Sequence, residues 1–352
     1  MKNLLIPMAG KSTRFPNLKP KWMLTHPMTN RFMAIESILG LNLDFFDKIY
    51  FICLEEHEKK YKFLYGFLDE INELNLGNKT EVVFLEEETK SQSETVYNFL
   101  VKTKVDGFIF IKDSDNYYEC KVDSTNNQVA FFDLNDLDDI NARNKSYLEF
   151  DLNGLITNIV EKKVISPTFS VGGYGFSSAT DFCETYLKFI DIEEECYISN
   201  LIFDMILTGK SFYGLNVKTY KDWGTLESWN KYKSQYKCLF VDIDGTLVEN
   251  SSVHFPPYVG SSKPIVDNIQ CLNHLYKMGK VKIILTTSRP EKMRDATIKE
   301  MKDNGIMYDE LIMNLPHCKR VIINDFAKSN PYPSCDSINI PRNSNNLTEY
   351  LL

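Results

Sequence analysis

The sequence predicts an α/β protein built from two Rossmann-like domains, each with helices on both faces of a mostly parallel sheet, in three α/β/α layers. Three observations support this: buried strands alternate with helical stretches, small or acidic segments directly follow several strands, and the pattern restarts at residue 236. Such alternation is typical of parallel sheets, because the crossover helices pack on the sheet faces. A chain of 352 residues has the length of two or three domains.

The first domain is predicted to span residues 1–235. Its early strands are predicted at residues 4–8, 48–53, 80–85 and 107–112, and a helix at residues 93–101 carries an apolar face. The stretch 117–175 is rich in Asn and Asp, and it predicts a β-rich insertion with strands at 128–134, 147–151 and 156–161. A helix over residues 191–207 and a strand over residues 210–218 follow.

The second domain is predicted to span residues 236–352, with no flexible linker before it. Its strands are predicted at residues 237–241, 282–285 and 320–323, and a polar segment follows each of them. Too few residues separate Asp244 from Thr287 to form a large cap domain. The second domain is therefore expected to be uncapped.

Composition argues against several classes of protein. The net charge of −8 argues against a general nucleic-acid binder, which usually carries a basic surface. Eight cysteines without a CxxC pair fit reduced thiols in a cytoplasmic protein, and the histidines lack the spacing of a zinc site. We expect neither a signal peptide nor a membrane span, because no apolar run is long enough.

A candidate phosphate site follows the first strand, in the small and polar residues 9–14 (AGKSTR). Such a loop lets backbone N–H groups approach phosphates closely. Arg14 and Lys21 can then neutralise charge on a transferring phosphorus and on a leaving pyrophosphate. The loop lacks the GxxxxGK[ST] pattern of a P-loop.

The loop is one of six motifs that occur in the order found in the sugar-phosphate nucleotidyltransferases, and over residues 1–232 the chain resembles that family. The motifs are residues 9–15 with the later Lys-Pro-Lys at 19–21, residues 92–95 (QSET), 113–115 (DSD), 160–162 (VEK), 172–176 (GGYGF) and 222–225 (DWGT). The resemblance implies a nucleotidyltransferase fold of the GT-A-like type. The chain departs from the family in Lys11-Ser12 and in the residues after Lys21, which leaves nucleotide and sugar specificity open.

The resemblance also implies roles for individual residues. Asp115 and Asp222 would hold Mg²⁺, whose preferred ligands are hard oxygens. Lys162 would contact the substrate phosphate, and Glu161 would accept hydrogen bonds from a substrate hydroxyl. Arg14 and Lys21 would be catalytic. The nucleotide would lie against Met8, Ala9, Gly10, Lys11, Ser12, Thr13, Gln92 and Ser93, and the acceptor would also lie against Gly173.

A second candidate site follows the strand at residues 237–241. The two-residue period of a strand places Asp242 and Asp244 on one side, where two carboxylates repel unless a cation such as Mg²⁺ lies between them. One carboxylate can attack phosphorus, and the other can protonate the leaving group and later activate water.

The sequence DIDGTLV at residues 242–248 resembles a motif of the haloacid dehalogenase superfamily, most of whose members are phosphatases. The resemblance covers residues 236–352 and implies an aspartyl-phosphate formed on Asp242. It further implies that Thr287 and Ser288 bind phosphate, that Lys319 or Arg320 supplies a positive charge, and that Asp325 is a metal ligand beside Asp242 and Asp244. Asn324 stands where the family has a second acid, so a non-catalytic second domain stays open.

Together the two sites predict a bifunctional enzyme that makes an activated precursor of a surface or capsular polysaccharide. Its partners are a nucleoside triphosphate and a phosphorylated sugar or polyol, with Mg²⁺ as cofactor. CTP is favoured, because the loop lacks the longer TRL-x-P-x-T run common in uridylyl and thymidylyl enzymes, and GTP stays open. A glycosyltransferase fused to a phosphatase-like domain is the alternative, and a homo-oligomer is not excluded.

Overall fold

The computed structural model describes residues 1–10, 15, 18–136, 144–191, 195–325 and 334–352. These residues form two compact units, Met1–Asn230 and Lys231–Leu352. The division falls a few residues before the predicted domain boundary at 235/236. In the described residues, no helix is long and apolar enough to cross a membrane.

The first unit is built on a nine-stranded mixed sheet and a separate two-stranded one. Its strands are β1 (Lys2–Pro7), β2 (Lys48–Leu54), β3 (Thr80–Leu85), β4 (Phe108–Lys112), β5 (Asn116–Tyr118), β6 (Gln128–Asp133), β7 (Ser146–Phe150), β8 (Ile156–Glu161), β9 (Thr168–Phe176), β10 (Tyr213–Asn216) and β11 (Tyr220–Asp222). The main path of the large sheet runs β10-β6-β9-β4-β1-β2-β3, and β1 to β4 are parallel as predicted. β5 and β11 form the small sheet.

The predicted β-rich insertion is not a separate region. β6 and β9 lie inside the large sheet, where β9 pairs antiparallel with both β4 and β6, and only the hairpin of β7 and β8 branches off. The prediction erred because β9 is buried along almost its whole length, so its central place in the sheet depends on partners distant in sequence.

Helices cover both faces of the large sheet. They are α1 (Met33–Ile38), α2 (Glu55–Tyr61), α3 (Leu64–Glu73), α4 (Gln92–Thr103), α5 (Ala179–Leu187), α6 (Ile198–Leu207) and α7 (Leu226–Ser234), whose last residues belong to the second unit. Along β1, Leu4 and Ile6 pack into one core and Leu5 packs into another. Since successive strand side chains point to opposite faces, the two cores lie on opposite sides of the sheet. The three predicted layers are therefore present in this unit.

The second unit has a three-stranded parallel sheet in the described residues, in the order β12-β13-β14. Its elements are β12 (Lys237–Asp242), α8 (Val266–Lys277), β13 (Val281–Thr286), α9 (Arg294–Asp303), β14 (Glu310–Ile312) and α10 (Thr348–Leu351). The third strand was predicted wrongly at residues 320–323, because Val321, Ile322 and Ile323 are 70%, 54% and 92% exposed and belong to no strand. An apolar run of four residues does not by itself supply a strand partner.

Gly173 on β9 is required by packing. A Cβ atom at this position would lie 2.1 Å from the hydroxyl oxygen of Tyr118 and 2.8 Å from the Cβ of Ala130. We expect Gly173→Ala to lower the free energy of unfolding of the first unit by about 1–3 kcal/mol, as overpacking does elsewhere. Urea unfolding followed by tryptophan fluorescence measures this, since all three tryptophans of the chain lie in the first unit.

Gly66→Ala is the matched control. Gly66 lies on the exposed side of α3 and a Cβ atom there would meet nothing within 4 Å. This substitution should raise the free energy of unfolding by up to about 1 kcal/mol, because alanine loses less backbone entropy in a helix. A Gly173→Ala variant as stable as Gly66→Ala would contradict the packing explanation.

Candidate functional site

A cavity of about 670 Å³ opens in the first unit, at the carboxyl ends of β1 and β4. Ligands of open α/β sheets bind at this edge, where the strands end and the connecting loops diverge. Residues from several parts of the chain line the cavity, among them 7–10 after β1, 89–92 before α4, 113–116 after β4, and the wall formed by 144–146 with 161–162. Motifs far apart in the sequence therefore meet in one place.

Only part of the predicted phosphate loop belongs to the described residues. Met8, Ala9 and Gly10 line the cavity, as does Lys21, while Lys11, Ser12, Thr13 and Arg14 lie outside the described residues. The Lys21 ammonium donates to the Asp115 carboxylate. Lys21 therefore links the segment that follows the loop to the predicted metal site.

The pairing of β5 with β11 brings Asp115 and Asp222 together. Asp222 pairs with Asn116, and the Trp223 amide donates to the Asp115 carbonyl oxygen at 2.9 Å. Asp222 accepts a hydrogen bond from the Gly224 amide on Oδ1 and one from the Lys145 ammonium on Oδ2, both at 2.8 Å. Two carboxylates at adjacent backbone positions fit Mg²⁺, which takes one or two protein carboxylates and completes its shell with phosphate oxygens and water.

Lys112, the last residue of β4, and Asp113 directly after it lie next to this site. Burial, and secondly the charge of Asp115, raises the pKa of Asp113 to about 6, and Gln92 donates to its Oδ1 at 2.6 Å. Burial lowers the pKa of Lys112 to about 7, and its Nζ donates to the Asp113 and Asn116 carbonyl oxygens at 2.8 and 3.0 Å. Lys112 is fully buried and ties down the turn between β4 and β5.

The opposite wall of the cavity carries Glu161 and Lys162, the two residues predicted to bind the acceptor. Ser146 and Ser199 both donate their hydroxyls to Glu161 Oε2, the second at 2.8 Å. Lys162 donates to the Tyr197 hydroxyl and lies over its ring, and Tyr197 in turn donates to Glu195 at 2.6 Å. A carboxylate oriented by hydroxyls beside a lysine can bind a polyhydroxy compound that carries a phosphate.

Two predicted site residues lie off the cavity lining, and several lining residues were missed. Ser93 is buried and donates to the Cys196 carbonyl oxygen, so it joins α4 to the segment before α6. Gly173 packs against Tyr118, and its neighbour Gly172 lines the cavity instead. The missed residues are Lys145, Ser146, Glu195, Tyr197, Ser199 and Tyr220. They belong to no motif, and only tertiary contact shows them.

In the second unit, Asp242 ends β12 and pairs with Thr286 on β13. The Arg320 guanidinium donates to Asp242 Oδ1 at 2.9 Å, whereas Lys319 is exposed. Burial raises the pKa of the Asp242 carboxyl, while the hydrogen bond from Arg320 acts in the opposite direction. The Asp242 side chain is 37% exposed and open to a substrate.

Asp244 is held by the buried Arg289, which directly follows Thr287 and Ser288. Arg289 donates Nε and Nη2 to the two Asp244 oxygens, both at 2.8 Å, and Nη1 to Glu300 at 2.6 Å. Thr287 and Ser251 donate to the same carboxylate at 3.3 and 2.6 Å. Both oxygens of Asp244 are thus engaged.

Of the other predicted residues, Thr287 is buried beside Asp244 and Ser288 is half-buried next to it. Asp325 is exposed, and its backbone hydrogen-bonds to Asn324 and Ser334. Within the described part of the chain, no group of three or more His, Cys, Asp or Glu side chains could hold a metal. Asp325 is therefore not gathered with Asp242 and Asp244, because residues 320–325 do not pair with β12.

We expect Arg289→Met to lower the free energy of unfolding of the second unit by about 3–5 kcal/mol, because it leaves the Asp244 and Glu300 charges uncompensated. The side chains of Arg289 and Glu300 are 2% and 3% exposed. Arg294→Met is the matched control, since Arg294 pairs with Glu291 at the surface and its loss should matter little. Hydrogen exchange of the amides in β12 and β13 reports on this unit, and equal protection in both variants would contradict the expectation.

Comparisons with solved structures place this geometry in a known fold. A nucleoside-diphosphate-sugar pyrophosphorylase from Vibrio cholerae RC9 matches with a TM-score of 0.54 and 22% identity, over 66% of this chain and 99% of that chain. The inositol-1-phosphate CTP transferase from T. maritima matches with a TM-score of 0.52 and 11% identity, over 66% and 94%. A UDP-glucose pyrophosphorylase complexed with UDP-glucose matches with a TM-score of 0.50 and 14% identity, over 66% and 97%.

The matched share is close to that of the first unit, which holds 230 of the 352 residues. No protein-family model and no curated protein matches the chain. At these identities the likeness concerns the fold, and it bears out the fold predicted for the first domain. About two thirds of the chain has the fold of the nucleotidyltransferases.

Proposed function

We propose that the first unit transfers a nucleotidyl group from a nucleoside triphosphate to a phosphorylated sugar or polyol and releases pyrophosphate. The observation that carries this proposal is the meeting of Asp115, Asp222, Lys21 and the Glu161–Lys162 wall in one cavity. One part of the cavity suits a triphosphate, with a small-residue loop and paired carboxylates. The other part suits a hydroxylated phosphate.

In this reaction an oxygen of the acceptor phosphate attacks the α-phosphorus, and the bond from that phosphorus to the pyrophosphate oxygen breaks. The acceptor phosphate is already an anion, so no base has to remove a proton from it. Lys21 neutralises charge around the reacting phosphorus, while Glu161 and Lys162 orient the acceptor in line with it. A Mg²⁺ ion held by Asp115 and Asp222 would neutralise the triphosphate when bound.

CTP is the proposed donor. The short loop after β1 supports it, and one solved structure of similar fold is described as an inositol-1-phosphate CTP transferase. That description also pairs the nucleotide with a polyol phosphate. The product would be an activated building block for a surface or capsular polysaccharide.

We expect Asp222→Asn and Lys21→Ala each to lower the rate of pyrophosphate release by about 10²–10³, the usual effect of removing one charge-stabilising group. The assay offers each of the four nucleoside triphosphates with phosphorylated sugars and polyols, and it detects pyrophosphate. Lys188→Met is the control, because Lys188 pairs with Asp204 at the surface. Absence of pyrophosphate with every pair would refute the proposal. A nucleoside diphosphate released from nucleotide-sugars, offered as donors in a parallel assay, would indicate a glycosyltransferase.

We propose a second activity, hydrolysis of phosphomonoesters at Asp242, which the open position of this carboxylate at the end of β12 supports. Asp242 would attack phosphorus and form an aspartyl-phosphate that water then hydrolyses. Asp244 would have to give up a contact with Arg289 before it could protonate a leaving group. Substrates whose leaving group needs no proton should therefore react best.

We expect hydrolysis of acetyl phosphate and p-nitrophenyl phosphate to exceed that of alkyl phosphates, because their leaving groups are stable anions. Asp242→Asn should abolish phosphate release and leave pyrophosphate release intact. Phosphate and pyrophosphate detection on the same preparation measures both. If the wild-type chain releases no phosphate from either activated substrate, the second unit has a non-catalytic role.

A further inference from the structure

Lys145 lies where the metal carboxylates meet the acceptor wall, and no motif assigns it a role. Its Nζ donates to Asp222 Oδ2 at 2.8 Å and to the Tyr220 hydroxyl at 2.5 Å. The aromatic rings of Tyr220 and Phe169 lie 5.0 and 5.9 Å from the ammonium. The side chain is 15% exposed and lines the cavity, so a bound ligand can reach it.

Lys145 occupies an oxygen of the Asp222 carboxylate that a divalent cation would need as a ligand. Asp222 Oδ1 is engaged by the Gly224 amide, so Oδ2 is the oxygen that Lys145 shares with any metal. Asp115 is neutralised in the same way by Lys21. Without a metal, each of the two carboxylates is thereby balanced by one ammonium group.

Lys145 is also the backbone neighbour of the predicted phosphate-binding lysine. The Lys162 amide donates to the Lys145 carbonyl oxygen at 2.9 Å, and the adjacent residues Ser146 and Glu161 face each other across β7 and β8. The two lysine side chains diverge from this point, one toward Asp222 and one toward Tyr197. A phosphate that enters between them meets both charges.

We propose that Lys145 has two successive partners: Asp222 while no divalent cation is bound, and the phosphate of the acceptor once a cation takes the carboxylate. The proposal rests on the function proposed above. It assigns Lys145 and Lys162 jointly to the acceptor phosphate, and it makes phosphomonoesters, with their two negative charges, the acceptor class. It also couples metal entry to completion of the acceptor site.

The first test measures Mn²⁺ binding to the full chain without nucleotide, by electron paramagnetic resonance. We expect Lys145→Met to bind Mn²⁺ about tenfold more tightly than the wild type, because the competing charged hydrogen bond to Asp222 is gone. Lys145→Arg keeps the competitor and should behave like the wild type, as should Lys188→Met. Asp222→Asn should bind Mn²⁺ more weakly, which identifies the site that is measured.

The second test measures binding of inorganic phosphate by calorimetry, with Mn²⁺ and α,β-methylene-CTP filling the nucleotide part of the cavity. Lys145→Met should bind phosphate about tenfold more weakly than the wild type. The two expected changes have opposite signs, whereas a variant that folds poorly would lose both ligands.

Mn²⁺ affinity of Lys145→Met equal to or below that of the wild type would overturn the proposal, and so would unchanged phosphate affinity. These readouts need no turnover, so they separate this proposal from the one on which it rests. A wild-type chain that releases no pyrophosphate contradicts nucleotidyl transfer, while the opposite changes in Mn²⁺ and phosphate affinity would still establish the two partners of Lys145.

Discussion

The pairing of Asp115 and Asp222 each with a lysine is the interaction around which the first unit's cavity is arranged. The short pairing of β5 with β11 brings these two residues to one cavity, and Asp113 adds a third acid to its lining. Lysines balance the three acids, with Lys21 on Asp115, Lys145 on Asp222 and the buried Lys112 beneath the turn. These carboxylates are thereby balanced in the absence of a metal, and in the proposed exchange a divalent cation would replace Lys145 on Asp222.

The large sheet positions the acidic residues of this site. β4 lies between the parallel β1 and the antiparallel β9, so the acids that follow it emerge beside the loop that follows β1. Close packing of β9 against Tyr118, possible only because Gly173 has no side chain, fixes β5 against the sheet. The geometry of the carboxylates thus depends on a glycine that touches no substrate.

In the second unit, too, a carboxylate is balanced by a basic side chain, here an arginine instead of a lysine. Asp244 is fixed by the guanidinium of Arg289, which is itself held by the buried Glu300. Arginine suits this position because its planar fork binds a carboxylate through two parallel hydrogen bonds. Asp242, paired with the half-exposed Arg320, is left as the accessible carboxylate. The two aspartates, identical in the motif, therefore have different environments.

The sequence by itself determined the strands β1 to β4 with their parallel order, the helix α4, and several motif residues that line the cavity. These features are local, because the period of the hydrophobic residues, the composition of the loops and the ends of the strands can be read from consecutive residues. Only the tertiary structure decided that β6 and β9 belong to the main sheet, that residues 320–323 form no strand, and that Arg320 and Arg289 reach the aspartates. The contacts of Lys145 were likewise decided by the tertiary structure. Its partners Tyr220 and Asp222 are distant from it in sequence, and no spacing of residue types predicts such contacts.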